Sequence, residues 1–212
     1  MTPLTRLQGA AAPLLIDEMD AQLLAPRTDA ERGGGDTQGG AETVIQENLF
    51  STLRFDAGGA AIPGFVLNRP EFREAKFLLA GTNVGCGSAR EHAVWALTAF
   101  GIRCVIAPSY GPLFHSYCFK NGVLPITLDA AEVARLAEEA APGAPTAIFS
   151  VDVAAQTLVT PSGRTIPFAI PDFRRQQLLE GVDELDMTLK LQPEIAAFHA
   201  EAARKKPWLY SQ

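Results

Sequence analysis

Apolar residues along the chain fall into two kinds of run. Short, nearly unbroken runs read as strands buried on both faces, and runs with an apolar position every three or four residues read as helices lying against them. The first kind occurs at 14–16 (Leu-Leu-Ile), 76–80 (Lys-Phe-Leu-Leu-Ala), 103–107 (Arg-Cys-Val-Ile-Ala) and 123–128. The second occurs at 88–100, where Ala93, Ala96, Leu97 and Phe100 share one face and Gly101 stands at the C-cap. It recurs at 112–120, opened by Pro112 and closed by Asn121-Gly122, and at 130–140, where Asp129 supplies an N-cap. Strand 76–80, helix 88–100 and strand 103–107 form a βαβ unit, so this part of the sheet is parallel. Pro125 assigns 123–128 to an edge or irregular strand. The segment 49–55 reads equally as a strand or a short helix.

A break at 142–145 (Pro-Gly-Ala-Pro) precedes short strand-like runs at 147–152, 156–160 and 165–168, the last two joined by a turn at Pro161-Ser-Gly163. Helical segments follow, from Pro171 to Gly181, at 183–190 and at 193–205. No repeat and no second domain with its own core is visible. A parallel βαβ unit plus a meander predicts one mixed α/β domain over 1–212, with a helical extension at 171–212.

Composition narrows the picture. The 212 residues are 47% apolar and 20% charged, ordinary for a globular protein, and the formal charge of −6 argues against nucleic acid or a membrane surface as the main partner. A local basic pocket for a small acid stays compatible with it. Cys86, Cys104 and Cys118 form no C-x-x-C pair, which suggests a reducing compartment, and the scattered His92, His115 and His199 give no metal-ligand spacing. We therefore expect no metal held by this chain alone. Residues 1–12 lack a signal pattern and no run approaches membrane-spanning length, so the cytoplasm is the expected location. The stretch 29–43, with Gly at 33, 34, 35, 39 and 40, has flexible-linker composition. It reads first as a tolerated surface insertion and second as a lid over substrate.

Chemistry concentrates in Gly81-Thr-Asn-Val-Gly-Cys-Gly-Ser-Ala-Arg-Glu-His92, between a strand and a helix. Its glycines allow a sharp turn and a close backbone approach, and a helix start favours an anion. Ser88 and Glu91 fit a capping box, so Ser88 is either a helix cap or a functional hydroxyl. Arg90 opposes the helix dipole unless an anion joins it, and its planar fork suits a carboxylate. Cys86 admits a minor reading as a nucleophile with His92 or His115 as base.

The segment from Gly85 to Leu97, Gly-Cys-Gly-Ser-Ala-Arg-Glu-His-Ala-Val-Trp-Ala-Leu, resembles the signature of 3-isopropylmalate dehydratase small subunits, within the aconitase superfamily. The likeness continues through Phe65-Val-Leu-Asn68, Ile106-Ala-Pro-Ser109, Asn121-Gly-Val-Leu-Pro125, Leu178-Leu-Glu-Gly181 and Lys206-Pro-Trp-Leu209. The resemblance implies a swivelling three-layer β/β/α domain with a mixed, partly parallel sheet. It implies a separate large subunit that carries a [4Fe-4S] cluster, whose open iron is a Lewis acid toward the leaving hydroxyl. The implied reaction converts 2-isopropylmalate to 3-isopropylmalate through an alkene diacid, in leucine biosynthesis. By the same resemblance Ser88 is the base, Arg90 binds substrate carboxylate, and Gly87 and Ala89 contribute backbone. Arg27 begins the piece that replaces the family's substrate-side loop. Two departures bear on the substrate. Ala89 stands where the family usually has a second serine, and Glu18-Met-Asp-Ala-Gln22 keeps only Asp20 of the family's early acidic segment. A paralogue acting on methylmalate/citraconate or dimethylmalate, or a non-catalytic anion-binding module, is the alternative.

Overall fold

The computed structural model describes residues 1–26, 41–87, 90–141 and 147–209, with backbone alone for 41–44. Seven strands are present among these residues: β1 (Arg6–Leu14), β2 (Phe77–Ala80), β3 (Cys104–Ala107), β4 (Leu124–Thr127), β5 (Ile148–Asp152), β6 (Thr157–Val159) and β7 (Thr165–Pro167). They form one sheet in the order β4-β3-β2-β1-β5-β6-β7. β1 pairs in parallel with β2 through 11–14 and antiparallel with β5 through 6–10, so a single strand serves both halves. The parallel half β1-β2-β3-β4 and the meander β5-β6-β7 match the sequence expectation. β4 is an edge strand, as Pro125 required.

β1 is the main correction. The sequence placed a strand at 14–16, whereas the strand is Arg6–Leu14. Its centre, Gly9-Ala-Ala-Ala-Pro13, has little β-propensity. The residues are small because their surroundings are full. Gly9 lies opposite Phe149 and Ala11 opposite Phe77, and the two rings meet over β1 with centroids 6.2 Å apart. A Cβ on Gly9 would stand 2.5 Å from Lys76 Cγ.

Nine helices accompany the sheet among the described residues: α1 (Ala21–Leu24), α2 (Ala41–Asn48), α3 (Ser51–Arg54), α4 (His92–Phe100), α5 (Pro112–Lys120), α6 (Ala130–Glu139), α7 (Asp172–Glu180), α8 (Glu184–Leu189) and α9 (Gln192–Lys205). The ambiguous 49–55 is thus helical, entered through Phe50 in the left-handed region (φ 52°). Side chains alternate along β2: Leu78 and Ala80 join a core with α4 and α5, while Phe77 and Leu79 join a second core with α6, α7 and β5. Asp129 caps α6 by accepting the Glu132 N–H at 2.7 Å, as the sequence indicated. No helix among the described residues is long and apolar enough to cross a membrane.

Candidate active site

The carboxyl ends of β1, β2 and β3 point the same way, and the loops leaving them are laced together. From the β1 loop, Glu18 N–H donates to Thr82 O (2.8 Å) and Ala21 N–H to Cys86 O (3.1 Å), while Met19 O accepts from Gly85 N–H (2.6 Å). From the β3 loop, Gly111 N–H donates to Val84 O (2.8 Å), and Ser109 O accepts from Val84 N–H (3.1 Å). Asp17 Oδ1 accepts from both the N–H and the hydroxyl of Thr82, which lowers its carboxyl pKa. Parallel pairing therefore continues past the strands as the bridges Asp20–Cys86 and Val84–Tyr110. Crevices outside the carboxyl ends of parallel strands are where α/β folds bind ligands.

The backbone is forced where the loops touch. Gly85 has φ 72°, and a Cβ there would overlap the Phe114 ring. A Cβ on Gly111 would lie 2.5 Å from Gly85 O, so the loops approach at a distance only glycine permits. Glu18 (φ 51°) and Asn83 (φ 56°) hold left-handed conformations without being glycine, a strain that tends to gather at functional sites.

Helix α4 begins at His92, three residues later than the Ser88–Glu91 capping pattern predicts. Glu91 is itself the N-cap residue: its carbonyl accepts from Val94 and Trp95 N–H, and its side chain turns away to Asn121. Asn121 Nδ2 donates to Glu91 Oε1 (2.8 Å) and to Tyr117 O (2.8 Å), and its Oδ1 accepts from Trp95 Nε1 (3.1 Å). Gly87 and the Arg90-Glu91 pair thus lie outside α4, with Glu91 drawn to Asn121. Gly87 (φ 78°) is exposed at the turn. Arg90, half-buried, donates from Nη1 to Gln22 Oε1 at 2.6 Å. Gln22, Glu18, Asp20, Leu23, Pro26 and Thr52 line a cleft of about 410 Å³ beside it. Asp20 is oriented by accepting the Leu23 N–H (2.6 Å) as the N-cap of α1. Ser88, Ala89, Arg27 and nearly all of 29–43 lie outside the described residues, apart from the backbone of 41–43 in α2.

The thiol reading of Cys86 fails on electrostatics. Burial, with the carboxylates of Asp20 and Glu18, pushes its pKa up, and its Sγ–H donates to Glu18 O at 3.3 Å. A nucleophilic cysteine needs the opposite shift. Cys104 and Cys118 are core residues whose thiols burial pushes up well beyond the ordinary range. Among the described residues no group of three or more His, Cys, Asp or Glu is placed to hold a metal ion. The cysteines present do not fit a cluster site on this chain.

The Aconitase C-terminal domain model matches residues 35–131. The 3-isopropylmalate dehydratase small subunit of a Jannaschia species is 45% identical over 99% of this chain and 100% of its own length. That of Paramagnetospirillum magneticum is 42% identical, covering 99% and 100%. The chain belongs to the 3-isopropylmalate dehydratase small-subunit family. The crystal structure of a 3-isopropylmalate dehydratase from Methanocaldococcus jannaschii shares the fold, with a TM-score of 0.61, 20% identity and coverage of 92% of this chain and 99% of that one.

For a member of this family, the structure adds residues that sequence reasoning missed. Gln22 reaches Arg90 across 68 positions and Asn121 reaches Glu91 across 30, so no local pattern announces either contact. Gln22 had a signal of another kind, since it closes the early segment in which the chain departs from the family pattern.

Proposed function

We propose that this chain works as the small subunit of a hydro-lyase that interconverts 2-isopropylmalate and 3-isopropylmalate by dehydration and rehydration, in leucine biosynthesis. The observation that carries the reading is full-length similarity to small subunits of that enzyme, joined to an arginine beside a cleft at the carboxyl ends of three parallel strands. The partner in this reading is a large subunit that carries the [4Fe-4S] cluster, and the pair is cytoplasmic. The cluster supplies Lewis-acid chemistry at the departing hydroxyl.

In this proposal Arg90 clamps one carboxylate of the branched diacid. Gln22, a neutral acceptor, fixes the guanidinium without cancelling its charge. Ser88 takes the proton from substrate carbon, and the backbone of Gly87 and Ala89 contributes to binding the substrate. The hydroxyl leaves the adjacent carbon, giving the alkene, and water adds back with the positions exchanged. Arg27 belongs to the substrate-binding set on the same reading. The lacing of the loops supports the assignment because it holds both flanks of residues 87–91 in register.

The test is anaerobic reconstitution with the large subunit, followed by conversion of 2-isopropylmalate in competition with methylmalate and dimethylmalate. Preference for 2-isopropylmalate is expected. Preference for a smaller diacid would overturn the substrate, and no turnover of any malate-type diacid would overturn the activity.

A further inference from the structure

The C-terminal helices present a face that nothing described in this chain covers. Neither α8 nor α9 contains a buried residue. They are anchored at their root, where Glu184 pairs with Arg174 (3.0 Å) and Lys120 (3.9 Å) and Lys190 pairs with Glu180. Beyond the root, Leu191, Ile195, Phe198 and Ala202 fall at i, i+4, i+7 and i+11, one continuous stripe along a helix. Phe198 is 68% exposed, and Trp208, in the terminal turn, is 69% exposed. Of the fifteen exposed large hydrophobic side chains among the described residues, seven lie within 185–209.

The area is that of an interface. With side chains of roughly 150–250 Å² for the aromatics, these seven offer on the order of 800 Å². That is the share one partner contributes to a standard stable interface, about 800 Å². Scattered exposed leucines need no explanation, but a concentrated patch of this size marks an interaction site. Arg204, Lys205 and Lys206 close the stripe with positive charge.

We infer that this arm is a docking element for the large subunit, its apolar stripe seated in an apolar groove of that partner and its basic end against carboxylates there. The inference rests on reading the chain as a small subunit. Relatives bearing that name align with it over 98–100% of their length, arm included, and the name implies a heteromeric partner.

The experiment uses Phe198→Asp and Trp208→Asp in the full chain, titrated anaerobically onto the large subunit and followed by sedimentation velocity and by turnover. Both side chains are exposed, so circular dichroism and melting of the isolated subunit should match the wild type. Affinity should weaken roughly 30-fold or more per anchor, with kcat recovered at saturating small subunit. A wild-type pair that assembles and turns over, with both variants binding as tightly, overturns the arm alone. So does a small-subunit homodimer that the variants dissociate while heteromer affinity is unchanged, since the occupant is then a second copy. A wild-type pair that never assembles overturns the small-subunit reading as well.

Discussion

The two halves of the sheet treat their turns differently. On the antiparallel side each turn makes backbone hydrogen bonds of its own, and only side chains tie the 160–164 turn to α6. Thr160 N–H donates to Arg164 O and Gly163 N–H to Thr160 O, and Asp152 Oδ1 accepts from Ala155 N–H within its own turn. On the parallel side the three loops close on one another, β1 on β2 and β2 on β3. Loops that satisfy each other's backbone hold side chains from distant parts of the chain in one arrangement, which is what a site requires.

That contrast can be attacked on both sides. The largest effect is expected from Ser88→Ala, which should lower kcat of the reconstituted enzyme by roughly 10²–10⁴ with KM little changed. Near-normal turnover would remove the proposed base. Gly85→Ala strikes the lacing itself, and with left-handed strain and an overlapped Phe114 ring it should cost about 3 kcal/mol, read as a lower melting temperature. An equivalent Gly163→Ala, also at positive φ but with open space around it, should cost about 1 kcal/mol. Equal losses would erase the distinction between the halves.

Arg90→Lys keeps the charge but loses the fork, and should raise KM by roughly 10- to 100-fold with a smaller change in kcat. On the antiparallel side, Glu139 joins Ser162 and Arg164 to α6. Burial alone would raise its pKa, but hydrogen bonds from Arg164, Ser162 and Thr160 outweigh it and lower it to about 2. The sign follows from linkage. A depressed carboxylate stabilises the fold above its unfolded pKa of 4.5, and that stability is lost as pH falls from there toward 2. Glu139→Gln should therefore cost about 1–2 kcal/mol at pH 7, reduced for the exposure of Arg164, with the deficit shrinking in acid melts. The smallest effect is expected from Glu91→Gln, which keeps an acceptor for Asn121 and should leave KM within about twofold. Glu91→Ala should raise KM more.

Helices with clear punctuation were legible in the sequence. Pro112 and Asn121-Gly122 bound α5 where the structure has it, and Asp129 caps α6. β1 was not, because its composition answers to Phe77, Phe149 and Lys76 rather than to strand propensity. The start of α4 was misread for a related reason: Ser88 and Glu91 have capping chemistry, but Asn121, at the C-cap of α5, engages Glu91. Of the site, the glycine loop was legible as a local pattern, whereas the Gln22 contact and the cleft come from chain crossings that no window of sequence contains.

The shared strand also sets a timetable for synthesis. Arg6 meets Asp152 across 146 positions, so β1 emerges from the ribosome long before its antiparallel partner exists. At about 5–20 residues per second, the interval is roughly 7–30 s. During that time an edge of the nascent sheet stands open, the situation in which strands adhere to the wrong neighbour. A Gly-Ala-Ala-Ala core is a poor template for such pairing. The residues that make room for two phenylalanines in the finished sheet also keep the waiting strand from finding other company.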